Sequence, residues 1–113
     1  SKIYDKPIPD LERLKQGIKT LAEGKPEKFE LAQNFPNPFN PSTMISFQLP
    51  INGYVTLKIY DLLGQAIATL VNEQKSAGKY EVKFDASDLA SGVYIYRIQA
   101  GEFNASKKLM LLK

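Results

Sequence analysis

Single glycines separate a series of short segments in which apolar and polar residues alternate, and this pattern constrains the fold more than any other feature of the sequence. After Pro50 the glycines stand at positions 53, 64, 78, 92 and 101. Alternation with a period of two places apolar side chains on one face of a strand and polar side chains on the other. Short strands separated by turn residues at this spacing are typical of antiparallel folds, so we expect a β-sandwich or barrel.

The alternation predicts about seven strands. The first is short and lies around 30–33, and the last runs over 104–112. The strand that follows Gly92 carries Val93 and Ile95 between its tyrosines, so its start is apolar on both faces, which suits a central position in a sheet. The residues predicted to fill the core are Ile45, Phe47, Leu57, Ile59, Tyr80, Val82, Phe84, Tyr94, Tyr96 and Ile98.

Three connections carry distinctive turn residues. The Asn52-Gly53 pair predicts a tight hairpin, because both residues tolerate positive φ. The segment DASDLAS at 85–91 predicts a single helical turn whose Leu89 packs into the end of the sandwich. The segment QNFPNPFNPS at 33–42, the proline loop, contains three prolines that remove backbone donors and favour extended geometry in each preceding residue. We therefore expect a rigid, extended loop there.

Charge divides the chain into two parts. Thirteen charged residues occur among the first 30, and none occurs between Leu31 and Leu57. Within the first part an apolar stripe at helical spacing predicts a short helix that Asp10 can cap and Gly24 can end. We expect residues 1–28 to form a linker or the tail of a preceding domain, and residues 29–113 to form the β domain. The stripe consists of Leu11, Leu14, Ile18 and Leu21.

Composition argues against catalysis and against most ligands. The sequence has no Cys and no His, so it lacks a thiolate nucleophile, the usual general base and the commonest transition-metal ligands. Asp85 and Asp88 share one loop, but Ca²⁺ takes about six to eight oxygen ligands. A net charge of +3 without a clustered basic patch does not predict nucleic-acid binding. No apolar run is long enough to insert into a membrane. We expect no enzyme, no cofactor and no small-molecule substrate.

Two groups of side chains leave alternatives open. The tyrosines could form an exposed platform that binds sugars, or they could pack in the core and across strands. The lysines near the end of the last strand could protect an edge strand from aggregation, or they could contact a partner. The tyrosines are Tyr54, Tyr60, Tyr94 and Tyr96, and the lysines are Lys107, Lys108 and Lys113.

From 29 to 113 the sequence resembles the C-terminal sorting domain of proteins exported by the type IX (Por) secretion system of Bacteroidetes-type bacteria. The matching segments are NFPNPFNPST at 34–43, VTLKIYDLLGQAIATL at 55–70, SAGKYEVKFDASDLASGVYIYRI at 76–98 and KKLMLLK at the end. Gln65 departs from the family, which often has a basic residue there. The positions that match family motifs are Pro36, Pro38 and Asn40 in the loop, Gly64 in a turn, Gly92 and Tyr94 in Gly-x-Tyr, and Lys108, Leu109 and Lys113 in the closing Lys-Leu-x-x-x-Lys.

The resemblance implies an immunoglobulin-like sandwich that serves as a secretion and sorting signal. Such a domain accompanies a cargo protein through the periplasm, is recognised by an outer-membrane translocon and is typically removed by a sortase. The cargo then reaches the cell surface or the medium. By this resemblance the last strand, with Lys107, Lys108, Leu109 and Lys113, is the expected recognition element. The alternative is a carbohydrate-binding or adhesive immunoglobulin-like module of an extracellular protein, because one fold can support many functions.

Overall fold

The computed structural model describes residues 26–113 and folds them into strands joined by turns and loops. The helix predicted around the stripe at 11–21 lies outside the described residues. In chain order the strands are β1 (Glu30–Leu31), β2 (Ser42–Leu49), β3 (Gly53–Tyr60), β4 (Ala66–Lys75), β5 (Gly78–Asp85), β6 (Gly92–Ala100) and β7 (Phe103–Leu111).

The seven strands form two antiparallel sheets. Sheet A has the order β1-β2-β5, and sheet B has the order β4-β3-β6-β7. The predicted all-β class and the predicted number of strands are confirmed for the described part of the chain. β4 extends to Lys75 and stays paired with β3 through two irregularities in register. No helix within residues 26–113 is long and apolar enough to cross a membrane.

The hairpin predicted at Asn52-Gly53 is wrong. β2 pairs with β1 and β5, whereas β3 pairs with β4 and β6, so residues 50–52 cross from sheet A to sheet B. The side-chain oxygen of Asn52 accepts a hydrogen bond from the backbone N–H of Ala77 at 2.8 Å, which connects this crossover to the next one. The local dipeptide suits a hairpin, but the buried faces of β2 and β3 belong to different sheets, and their packing decides the connection.

Apolar side chains from both sheets meet in one core. Seven of the ten predicted core residues are buried, and the other three, Tyr80, Val82 and Tyr94, are half-buried and pack against its margin. Tyr80 and Val82 belong to β5, and its position at the edge of sheet A explains their partial exposure. The buried apolar residues outside the predicted set are Leu31, Phe39, Leu49, Val55, Val71, Ala86, Ala100, Leu109 and Leu111.

The strand directions give the domain two ends. The near end, where the chain leads into β1, contains the connections 50–52, 76–77 and 101–102. There the rings of Phe29 and Phe103 stack with their centroids 4.9 Å apart. The far end contains the connections 61–65 and 86–91, most of the proline loop and the end of the chain after β7.

Two connections at the far end differ from the expected conformations. Residues 86–91 form a hydrogen-bonded turn instead of a helical turn, with the N–H of Leu89 donating to the carbonyl of Ala86 at 3.0 Å. Leu89 packs against the core, as predicted. The proline loop bends at 36–38 and at 40–41 instead of running extended, because hydrogen bonds to other parts of the domain fix its course.

β6 occupies a central position in sheet B, as its apolar start predicted. A central strand that is apolar on both faces is expected to be covered on both. Here no second layer within residues 26–113 covers the outer face of sheet B. Val93 and Ile95 point away from the core and are only half-buried. The apolar character of this face therefore does not come from burial in the domain.

Phe84→Ala is expected to lower the free energy of unfolding by about 3–5 kcal/mol, because it removes a large side chain from a close-packed core. Phe84 is buried and its ring lies 6.2 Å from that of Phe39, so the substitution also leaves the proline loop with a cavity beneath it. Denaturant titration measures the loss. Lys83→Ala, one residue earlier and exposed, is the control and should change stability by less than about 0.5 kcal/mol. Equal losses in both variants would contradict the assigned faces of β5.

Candidate functional site

The proline loop lies along the outer edge of β7. The N–H of Phe39 donates to the carbonyl of Met110, and the N–H of Leu112 donates to the carbonyl of Phe39, both at 3.0 Å. Phe39 and Leu111 thus form an isolated parallel bridge. A terminal strand with an uncovered edge would present a row of unpaired backbone groups. Here the loop occupies the last part of that edge.

Two side chains extend the same cover. The side-chain oxygen of Asn37 accepts a hydrogen bond from the N–H of Met110 at 3.0 Å. The side-chain amide of Gln33 donates to the carbonyl of Lys108 at 2.8 Å. The loop therefore pairs with β7 through a short backbone bridge at Leu111 and through two amide side chains that bond the residues before it, so the edge from Lys108 to Leu112 is largely occupied.

A buried polar cluster fixes the loop from beneath. The hydroxyl of Tyr96 donates to the carbonyl of Ala32 at 2.6 Å and accepts from the N–H of Asn34 at 2.8 Å. The side-chain amide of Asn34 donates to the hydroxyl of Thr43 at 3.0 Å and to the carbonyl of Pro36 at 3.1 Å. Thr43 in turn donates to the carbonyl of Pro36 at 2.9 Å. Asn34 and Thr43 are the two buried polar residues in the described part.

This cluster connects three parts of the domain that are distant in sequence. Tyr96 belongs to the centre of sheet B, Thr43 to sheet A, and Asn34 to the loop. Desolvation raises the pKa of the Tyr96 hydroxyl to about 12, against the weaker opposing effect of the N–H of Asn34. Buried polar groups lower the stability of a fold unless they are paired, so each partner depends on the others.

The last residue of the chain lies against the turn at 86–91. The N–H of Lys113 donates to the hydroxyl of Ser91 at 3.0 Å, and its ammonium donates to the carbonyl of Ser87 at 2.5 Å. Hydrogen bonds from Ser87 lower the pKa of the Asp85 carboxyl, and the charges of Lys83 and Lys113 add to that effect. The charge of Lys113 is therefore held over this turn instead of extending freely from the strand.

The four residues predicted for partner recognition do not share one surface. Lys108 is exposed and points away from the core, and Lys113 lies exposed at the far end. Lys107 is half-buried on the core-facing side of β7, where an inward-pointing charge protects an edge strand. Leu109 is fully buried, so its side chain cannot contact a partner of the folded domain directly. Its contribution is to anchor β7.

The positions that match family motifs cluster at the far end. Pro36, Pro38 and Asn40 are exposed in the proline loop, close to the terminal residues of β7. Gly92 starts β6, and the hydroxyl of Tyr94 donates to the carbonyl of Ala90 at 2.6 Å. That hydrogen bond fixes the corner where the chain leaves the turn at 86–91 and enters sheet B.

Gly64 closes the turn between β3 and β4 at the same end. Its φ is +86°, a conformation that other residues rarely adopt. Its N–H donates to the carbonyl of Asp61 at 3.0 Å, and the Asp61 carboxylate accepts hydrogen bonds from the N–H groups of Leu63 and Gln65, both at 2.9 Å. The Asp61 side chain thus supports the local turn, and Leu62 and Leu63 project into solvent.

Sequence reasoning missed the polar residues that hold the loop. Gln33, Asn34, Asn37 and Thr43 gave no periodic signal, and their partners lie up to 75 residues away. The one available signal was the pair of amides that begins the proline loop. Within residues 26–113 no three His, Cys, Asp or Glu residues come together as a possible metal site.

Tyr96→Phe is expected to cost about 1–3 kcal/mol at neutral pH, because it leaves the N–H of Asn34 and the carbonyl of Ala32 buried without a partner. The folded state keeps the phenol proton up to about pH 12, whereas the unfolded chain releases it near pH 10. The stability of the parent should thus fall by about 2–3 kcal/mol between these values, and that of the variant should lack this component.

Denaturant titrations of both proteins from pH 8 to pH 12 measure the difference. The two proteins differ only at the Tyr96 hydroxyl, so the difference between their profiles isolates its contribution. Tyr54→Phe is the control, because the Tyr54 hydroxyl bonds Asn72 at the surface, and at neutral pH its removal should change stability by less than about 0.5 kcal/mol. A difference between parent and Tyr96→Phe that stays constant over this range would show that the Tyr96 hydroxyl ionises as an exposed phenol does.

Comparison with known proteins agrees with this geometry. The family described as secretion system C-terminal sorting domain matches residues 33–112. The match begins at Gln33, the first residue of the proline loop, and ends one residue before Lys113. No curated protein matches the chain. The matched region contains the proline loop, the Gly64 turn, the Gly-x-Tyr corner and β7, which meet at the far end. Because the match covers well over half of the chain, the chain belongs to the family of secretion-system C-terminal sorting domains, whose members act as sorting signals for type IX secretion.

Proposed function

We propose that the domain presents its far end to the secretion machinery while the protein that carries it is attached at the near end. The proposal rests on the position of the residues that match family motifs, most of which lie at the far end of the domain. A cargo joined before residue 26 is then displaced from the recognition surface by the length of the sandwich. The proline loop, the Gly-x-Tyr corner and Lys113 remain accessible to a partner.

We infer that the domain has an immunoglobulin-like fold. The order β1-β2-β5 in one sheet and β3-β6-β7 in the other reproduces the A-B-E and C-F-G strands of that fold. The fourth strand pairs with β3 instead of joining the first sheet. Tyr94 supports the assignment, because a tyrosine near the start of the sixth strand that bonds a carbonyl a few residues upstream is a feature of immunoglobulin-like domains.

The partners we propose are an outer-membrane translocon that recognises the far end and a sortase that removes the domain afterwards. The route passes through the periplasm, and the cargo ends at the cell surface or in the medium. The domain itself is not an enzyme, which agrees with the family to which it belongs. Residues 1–28 act as a linker or as the tail of the cargo, and residues 29–113 form the sorting domain.

The alternative function, a sugar-binding module, has less support from the geometry. Stacking on sugars requires exposed tyrosine rings that share one plane. Tyr96 is fully buried, and Tyr94 and Tyr60 are half-buried. Tyr54 alone among the four is mostly exposed, and its hydroxyl bonds Asn72. The four tyrosines therefore do not form a common platform.

Lys108→Glu combined with Lys113→Glu is expected to abolish export of a periplasmic reporter fused before the full chain. The two lysines provide the exposed positive charge near the end of the chain, and charge-assisted contacts are strong and directional. Stability should fall by less than about 1 kcal/mol, because both side chains are exposed and one donates a single surface hydrogen bond. Surface display of the reporter in a type IX-secreting bacterium measures export.

Lys79→Glu combined with Lys83→Glu is the matched control. These lysines are exposed on β5, and the double change alters net charge by the same amount. The control should be exported at the parental level. If the Lys108/Lys113 variant folds normally and is exported as well as the parent, then positive charge at this end is not part of the signal.

Deletion of residues 1–28 is expected to leave the sandwich folded, because β1 and the stacked Phe29 remain. The deletion removes the carbonyl of Lys28 that accepts a hydrogen bond from Gln48 at the surface, which should cost less than about 1 kcal/mol. Thermal unfolding should stay cooperative, and its midpoint should change by a few degrees at most. Loss of the cooperative transition would place part of the first 28 residues in the core and would refute the proposed boundary.

A further inference from the structure

The outer face of sheet B carries an apolar patch that no other element of residues 26–113 covers. Tyr60 on β3 lies directly opposite Ile95 on β6, and Val93 on β6 lies directly opposite Met110 on β7. All four side chains point away from the core, because their neighbours along each strand are the ones that point into it. Three of them are half-buried and Met110 is 41% exposed. The side chains of the patch therefore cover one another in part and leave the rest of their surface open to solvent.

Cations lie beside the patch, and within residues 26–113 no acidic residue shares this face of the sheet. Lys58 on β3 is directly opposite Arg97 on β6, and Lys108 on β7 is directly opposite Ile95. The outward positions of the four strands of sheet B contain no Asp and no Glu. Like charges directly opposite each other destabilise a sheet. The pairing of Lys58 with Arg97 therefore does not stabilise the domain, whereas an acidic partner would relieve their repulsion.

The outer face of sheet A has a different character. On β5, Lys79, Glu81 and Lys83 alternate in sign along that face, and Glu30 on β1 adds a further acid. Mixed charge of this kind is the usual composition of a solvated surface. An apolar patch beside charged residues that are all basic thus occurs on the outer face of sheet B and not on that of sheet A.

The positive charge of this face also limits which partners can bind to it. A second copy of the domain would bring an identical basic face, so a symmetric dimer through this face is repulsive. Residues 1–25 contain six basic and four acidic residues, so this segment does not supply the missing negative charge. A membrane surface binds a protein through a broad apolar face, whereas this patch consists of four side chains, three of them half-buried. A flat protein surface that has an apolar centre and carboxylates around it complements both the apolar patch and the basic residues beside it.

We propose that the outer face of sheet B docks against an acidic surface of a folded protein partner. The apolar centre of that surface covers Ile95 and Tyr60, and its carboxylates pair with Lys58 and Arg97. This inference rests on the proposed function and deepens it, because the partner is a protein of the secretion machinery. Lys108 belongs both to this face and to the C-terminal signal, so the recognition surface extends from β7 across β6 to β3.

Lys58→Glu combined with Arg97→Glu tests the proposal in the reporter fusion with the full chain. Neither residue belongs to β7, so the C-terminal signal remains unchanged. We expect surface display to fall about tenfold or more, because two charge-assisted contacts become repulsive. The Lys79→Glu, Lys83→Glu pair makes the same charge change on sheet A and should be displayed at the parental level.

A second variant covers the case in which charge reversal disturbs folding. Val93→Thr combined with Ile95→Thr keeps β-branched side chains in the strand and removes the apolar surface, and it should also reduce display. Met44→Thr, on the outer face of sheet A, is its control.

The outcomes separate the two ideas. Parental display of both face variants, with the Lys108/Lys113 variant retained inside, would overturn the docking face and leave the C-terminal signal standing. A parental fusion that never reaches the surface would overturn the proposed function and this inference together. Loss of display in both face variants, with both controls displayed and all variants unfolding like the parent, would establish the face.

Discussion

The hydroxyl of Tyr96 is the group on which the far end depends. It lies in the middle of sheet B, is fully buried, and has both hydrogen-bond partners, Ala32 and Asn34, where the proline loop begins. Because a buried hydroxyl without partners is costly, the loop and the sheet stabilise each other. Asn34 continues the connection to Thr43 on the opposite sheet. A single buried network thus determines where the loop starts, and the covered edge of β7 follows from it.

The edge of β7 explains why a sorting domain needs such a loop. β7 lies at the edge of sheet B and pairs with β6 on one side only, and a free strand edge is prone to pair with other chains. The proline loop occupies part of that edge with few hydrogen bonds, since proline has no donor and cannot itself extend the sheet. Lys107 protects the same strand from its inner side. β7 is therefore protected from non-specific pairing, while its outward side chains stay accessible.

Alternation in the sequence was sufficient to predict the number of strands and most of the core, because burial on one face requires a period of two. The same logic failed at Asn52-Gly53, where the dipeptide suits a hairpin but the two strands belong to different sheets. It also failed for the polar cluster, because Asn34 and Thr43 stabilise the domain through hydrogen bonds to residues that only the fold brings near. At the candidate site, the motif residues were found by resemblance, whereas the burial of Leu109 and the position of Lys113 over residues 86–91 required the structure.

In the proposed function, these contacts make the signal a surface of the folded domain and not a peptide. Lys113 is positioned by hydrogen bonds to Ser87 and Ser91, which lie more than 20 residues earlier. The edge of β7 is covered by hydrogen bonds to residues more than 70 positions away. A peptide with only the last residues would carry the same charges without either constraint, and its unfolded ensemble would lose entropy on binding. The folded domain has already lost that entropy. Long-range hydrogen bonds therefore place the lysines, and the fold is itself part of the sorting signal.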